Sequence, residues 1–274
     1  SNIVNISGLV MYLIHSIQLQ KINGIATITI NRPDKRNAIN YDGWVELQRL
    51  AKTVDQDKDI KVVIIQGSGQ EAFSSGADIA DFDDYRSNSE KAIIYAEAFE
   101  GAMNAIEAIS KPTISLIKGY CIGGGCEMSM ATDMRFAADN STFGIPVAHL
   151  GILIGYSEMT RLIRLVGVGN ASYILLSGKT IAPDEALRIG LINGLHPLDQ
   201  LDEFVMNLAS SMTPLAPLSQ SRHKKIMQKV LSNPGLQGLT EEESILPFTN
   251  FDSVDFLEGR KAFLEKRKPD FKGL

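Results

Sequence analysis

The chain has 274 residues, with 27 lysines and arginines against 32 aspartates and glutamates, a net charge of −5. Hydrophobic residues make up 44% and charged residues 22%, the proportions of a globular protein with a sizeable core. The acidic balance argues against nucleic acid, RNA included, or an anionic membrane surface as the main partner.

Taken in chain order, the opening stretch SNIVNISGLVMYLIHS lacks a basic region and a small-residue cleavage site, so it does not read as a leader. No apolar run approaches the roughly 20 residues that span a bilayer. IATITINRP (25–33) alternates apolar residues with Thr, which predicts a strand, and a polar turn follows. YDGWVELQRLAKTVDQD (41–57) has helical spacing, and IKVVIIQGSG (60–69) reads as a buried strand. EAFSSGADIADF (71–82) is a loop of small residues, and 89–110 is a helix ending before Lys111 and Pro112. PTISLIKGYCIGG (112–124) reads as one strand leading into a helix, and MRFAADNSTFGIP (134–146) as strand, turn, strand. From Glu158 onward the pattern is almost wholly helical, with Asp184 read as a cap, Gly190 as a stop and a basic amphipathic helix in the tail ending near Pro269. The alternation predicts an α/β core, with a soft boundary near residue 200 before a helical segment, 201–274.

The two cysteines, Cys121 and Cys126, suit a reducing compartment and a cytoplasmic location. The histidines at 15, 149, 196 and 223 are scattered, and no metal pattern is visible.

The densest signal is GYCIGGGCEMSM (119–130). A phosphate loop needs Gly-Lys-Ser/Thr, and here Cys126 and Glu127 follow the glycines. Bare N–H groups at a helix start suit a developing oxyanion instead, and a carboxylate one turn on can move protons beside it. The plainer reading is that the glycines only allow close packing and Glu127 faces the helix dipole. FSSGADIADF (73–82) offers a second N–H before Asp78, or else a surface turn with Asp78 as a helix cap.

In order along the chain, ITINRPDKRNAIN, AFSSGADIADF, GYCIGGGCEMSMATDMRFAADNSTFGIP, LSGKTIAPDEALRIGLIN and AFLEKRKPDF resemble the enoyl-CoA hydratase/isomerase (crotonase) superfamily over about residues 17–271. The resemblance implies a crotonase-like spiral of β-β-α units (1–200) carrying an acyl-CoA site, then a helical C-terminal trimerisation region (201–274), in a homotrimer or hexamer. It implies a coenzyme A thioester as substrate and no cofactor or metal. The N–H groups of Ala77 and Gly124 would form the oxyanion hole, with Glu127 as acid/base; one such donor is worth about 3–4 kcal/mol. Lys35, Arg36, Ala38, Ala77, Asp78 and Ile79 would line the CoA tail, joined by Phe263 and Lys266, often across a subunit boundary. Asp34 stands where many relatives carry Lys.

The pattern breaks at FGIPVAHLGI: relatives that hydrate carry Glu where this chain has Val147. An Asp that some members place at the position of Gly155 is missing too. The remaining polar candidates are His149, Tyr156 and Glu158. His149 reads more readily as structural and Glu158 as a helix start beside Arg161, while Tyr156 suits a substrate contact or a closed acyl pocket. The expectation is an enoyl-CoA hydratase/isomerase-like enzyme, a lyase or isomerase, that stabilises a thioester enolate with a single clear glutamate. A malonyl-type acyl-CoA decarboxylase and a non-catalytic acyl-CoA binder are the alternatives.

Overall fold

The run VVII is apolar at every position because the strand it forms is buried on both faces. In the computed structural model, which describes residues 2–6, 9–13 and 16–274 in backbone and 16–274 in side chains, Val63 and Ile65 face one core, Val62 and Ile64 another. His15 lies outside the described residues.

The strands are β1 (Asn2–Ile6), β2 (Leu9–Leu13), β3 (Ile17–Ile22), β4 (Ile25–Ile30), β5 (Val62–Gly67), β6 (Ala72–Ser74), β7 (Thr113–Ile117), β8 (Tyr120–Ile122), β9 (Met134–Ala138), β10 (Thr142–Gly144) and β11 (Gly194–His196). The helices are α1 (Tyr41–Gln56), α2 (Phe82–Tyr85), α3 (Ser89–Glu107), α4 (Gly124–Ser129), α5 (Tyr156–Ser177), α6 (Pro183–Arg188), α7 (Leu201–Met212), α8 (Pro217–Ser232), α9 (Glu241–Thr249) and α10 (Val254–Leu264). The large sheet runs β1-β2-β3-β4-β5-β7-β9-β11, and a small one runs β10-β8-β6. β1 to β4 pair antiparallel; from β4 to β11 the pairing is parallel.

α1 and α3 cover one face, where Trp44, Leu47, Leu50, Met103 and Ile106 join Ile28 and Ile65. On the other face, Leu201, Val205 and Ala209 of α7 meet Val62, Ile64, Ile114 and Leu116. The first helix after the expected boundary near residue 200 therefore packs directly on the core sheet. Among the described residues no helix is long and apolar enough to cross a membrane.

Four expectations are revised. The single strand over 112–124 is two, because Gly119 takes φ +62 and turns the chain out of the large sheet. Tyr120 N then donates to Glu71 O at 2.9 Å, and β8 joins β6 and β10. The helical half is interrupted by β11, which pairs with β9. Asp184 lies in the first turn of α6 and is not its cap; Ala182 takes that place, with Pro183 opening the helix. In the tail, α10 ends at Leu264, short of Pro269.

Candidate active site

Two segments from the small sheet meet under α3. The first is fixed by Asn37, fully buried with φ 54. Its Nδ2 donates to Ala72 O (2.6 Å) and Ser68 O (3.0 Å), while its Oδ1 accepts from Arg32 N (3.0 Å). Ser74 Oγ donates to Asn37 O at 2.8 Å and accepts from Gly76 N at 3.1 Å. Ile39 N then donates to Gly76 O, and Asp78 N to Ile39 O. This parallel bridge turns the Ala77 N–H to the opposite side, away from Ile39.

That side belongs to α4. Gly123, its cap residue, holds φ +52, a conformation open to glycine. A Cβ on Gly124 would lie 2.9 Å from the Phe99 ring and 3.4 Å from Ala77 N. One on Gly125 would strike the Ser74 carbonyl. Gly76, at φ +93, would put a Cβ 2.8 Å from Gly124 N. The glycines thus serve close packing, and that packing brings the N–H groups of Ala77 and Gly124 side by side. Among the described residues neither N–H has a protein acceptor.

Both segments open on a cavity of about 400 Å³ whose walls include Ala77, Gly124, Phe99, Val147 and Leu153. Glu127, three residues into α4, lines it and is only 4% exposed. Burial first, and then the charge of Glu158, push its carboxyl up to about 8; Arg86 and Arg161 oppose the shift.

Glu158 is therefore inside the cavity as well, 1% exposed. Burial raises its pKa, with Glu100 adding and Arg161 opposing. The i,i+3 pairing with Arg161 is present but long, at 3.5 Å, because Arg161 is held more closely by Glu107 (2.6 Å) and Asn104 (2.6 Å) on α3. Those bonds anchor the first turn of α5 and aim Glu158 inward. Gly155 leaves the space: a Cβ there would fall on Glu158 Oε2 and within 2.9 Å of Glu100 Oε1. An Asp at 155 would have to displace the Glu158 and Glu100 carboxyl groups from these positions, which links the missing Asp to the inward Glu158.

The other candidates divide. Val147 lines the cavity and brings no carboxylate. Two of the polar candidates lie outside the cavity walls, His149 in keeping with its structural reading and Tyr156 against the expected substrate contact. His149 is exposed outside these walls, with Nε2 at 3.2 Å from Gly178 O. Tyr156 is 95% exposed, because the turn that buries Glu158 points its neighbour two positions earlier to solvent. Of the CoA-tail set, Ala77 and Ile79 line the cavity. Lys35 is exposed; Arg36 pairs with Glu71 at 2.7 Å and lies over the Tyr120 ring. Asp78 is held by Arg32 at 2.8 Å, and Arg32 also donates to the Ala38 carbonyl. Phe263, 83% exposed, and Lys266 are not among the cavity's walls in this chain.

Sequence reasoning passed over Glu100, Arg86 and the aromatic wall of Tyr95 and Phe99, all lining the cavity. Ala92, Tyr95, Ala96 and Phe99 fall on one face of α3 by spacing, a stripe that reads as core until the cavity beside it is seen.

The family model for enoyl-CoA hydratase/isomerase matches residues 20–274. The crotonyl-CoA hydratase of Syntrophomonas wolfei is 35% identical over 260 residues, which is 93% of this chain and 97% of that protein. The short-chain-enoyl-CoA hydratase of Clostridium acetobutylicum is 31% identical over 261 residues, again 93% and 97% of the two chains. A crystal structure from Magnetospirillum magneticum, described as an enoyl-CoA hydratase/carnithine racemase, superposes with a TM-score of 0.92 at 35% identity, covering 96% of this chain and 97% of that one. With nearly the whole chain matched in sequence and fold, the protein belongs to the enoyl-CoA hydratase/isomerase family of enzymes.

Proposed function

We propose that this protein hydrates a 2-enoyl-CoA thioester with Glu127 and Glu158 as its acid/base pair, and that the N–H groups of Ala77 and Gly124 hold the thioester oxygen. The observation that carries the reading is two buried glutamates lining one cavity with two N–H groups that have no protein acceptor among the described residues. Hydration joins a water oxygen to the β carbon and a proton to the α carbon through an enolate. The enolate oxygen is where two preorganised donors act most strongly. Glu127, pushed up to about 8, holds its proton at neutral pH and is the donor to the α carbon. Glu158, beside Arg161, is the group that takes the proton from water. Glu158 thus fills the role left open by Val147. The relatives named as hydratases support this reading over a decarboxylase or a non-catalytic binder.

In the same proposal the CoA tail runs along Lys35, Arg36, Ala38 and the Ala77–Ile79 backbone, and the working form is a homotrimer or hexamer. Exposed Phe248, Phe251, Leu257, Phe263 and Leu264 on and around the last two helices support an apolar subunit contact. The proposed location is the cytoplasm, in keeping with two free, buried cysteines. No cofactor is part of the reaction as proposed.

The test is mass spectrometry of crotonyl-CoA incubated in deuterated water. Hydration adds one water and leaves a deuteron on the α carbon. Deuterium uptake without addition of water would replace hydration by isomerisation chemistry, and in a parallel incubation loss of carbon dioxide from a malonyl-type thioester would replace it by decarboxylation.

A further inference from the structure

The cavity wall carries two arginines with different company. Arg161 is fully engaged by Glu107, Asn104 and Glu158. Arg86, which follows α2, has its guanidinium carbon 4.8 Å from the Phe82 ring centre and 4.9 Å from that of Tyr95. Among the described residues it has no carboxylate at ion-pair distance and donates no side-chain hydrogen bond. The arginines of the neighbouring loop are not in this condition: Arg32 has Asp78 and Arg36 has Glu71. A half-buried guanidinium among Phe82, Ala92, Tyr95 and Leu153 is poorly hydrated, and ring contacts leave its fork of N–H donors without an acceptor. That fork matches a carboxylate with two parallel hydrogen bonds.

Its position is equally specific. The Phe99 ring abuts Gly124, whose N–H is one of the two presented donors. The Tyr95 ring follows, 6.2 Å from Phe99 with a 27° interplanar angle, and Arg86 comes next. Tyr95 is fixed in turn by Trp44 Nε1, which donates to its hydroxyl at 2.8 Å. Arg86 therefore stands at the far end of an aromatic wall that begins where the thioester would sit. Glu100, Glu127 and Glu158 also line the cavity. Arg86 bears electrostatically on Glu127, while Glu100 and Arg161 are the charged side chains that shift Glu158.

Resting on the reading of this cavity as the acyl site, we propose that Arg86 selects acyl chains bearing a second carboxylate remote from the thioester, making a dicarboxylic acyl-CoA the preferred substrate class. The chain lies along Phe99 and Tyr95, and its terminal carboxylate takes the two free donors of the guanidinium.

Calorimetric titration of the full-length protein with adipyl-CoA and hexanoyl-CoA tests this. The two thioesters are saturated and of equal chain length, so binding is read without turnover. The wild-type protein is expected to bind adipyl-CoA about tenfold or more tightly than hexanoyl-CoA, the range of a charge-assisted bidentate pair. In Arg86→Gln the ratio should fall to near one, and Arg86→Lys, which keeps charge without the fork, should restore part of it. A wild-type ratio of one or less, or a ratio that persists in Arg86→Gln, overturns the proposal, as does equal weakening of both ligands in Arg86→Gln. Crotonyl-CoA turnover is scored separately: a protein with the adipyl preference and no hydration refutes the acid/base reading alone, and hydration without the preference refutes the role of Arg86 alone.

Discussion

Glu127 is held where its charge is disfavoured: burial and the neighbouring Glu158 push its carboxyl from 4.5 to about 8. The folded state therefore binds this proton more tightly than the unfolded chain. The stability it contributes is fully present below about 4.5 and is lost as pH rises through about 8. Replacement by the neutral isostere removes that dependence. Thermal melts from pH 5 to 9 should show the wild-type protein losing stability relative to Glu127→Gln, by up to a few kcal/mol on the linkage relation; parallel curves would contradict the shift. At Gly155, substitution by Asp sets a side chain on the Glu158 carboxyl. We expect Gly155→Asp to keep the fold by circular dichroism and to lose hydration on the order of 10²-fold, the value of one misplaced acid/base. Unaltered kcat would show that Glu158 needs no room there. Glu127 was legible in the sequence because it follows the glycines by one helical turn. Glu158 was less so: an i,i+3 spacing to Arg161 is the pattern of an ordinary surface pair. What turns it inward is Arg161's stronger bonding to Asn104 and Glu107, some 55 residues earlier.

At the scale of elements, the site depends on two backbone segments approaching closely enough for Gly76 and Gly124 to touch. Gly76→Ala adds a Cβ 2.8 Å from Gly124 N at φ +93. The left-handed backbone costs about 1–2 kcal/mol for a non-glycine residue, and the collision parts the two donors. Calorimetric melting should record the lost stability, and hydration should fall on the order of 10²–10³-fold, as for loss of one oxyanion donor. A fully active Gly76→Ala would mean that the approach is not needed. The strand periodicity of β4 and β5 and the helix spacing of α1 and α3 were readable because each follows one apolar face or a doubly buried run. β8 and β11 have three residues each, too short for periodicity, and are set by partners distant in sequence, whereas β10, equally short, was readable from the turn that separates it from β9.

For the whole molecule, the described surface leaves large apolar side chains exposed along the C-terminal helices, with Phe263 the extreme case. A homotrimer or hexamer would cover them. Light scattering should therefore give a mass three or six times the 30.0 kDa chain; a stable monomer at micromolar concentration would refute the assembly. The family and its α/β architecture were legible from five motifs spread over the chain, since each motif marks a backbone constraint that recurs with the fold. The reaction was less so, because the position that usually supplies the second carboxylate is Val147. The two-glutamate mechanism needs Glu158 to supply it from α5. Its most direct measurement is the kcat for crotonyl-CoA hydration by Glu158→Gln against wild type. A fall on the order of 10²–10⁴-fold is predicted; a rate equal to wild type would contradict the two-glutamate mechanism.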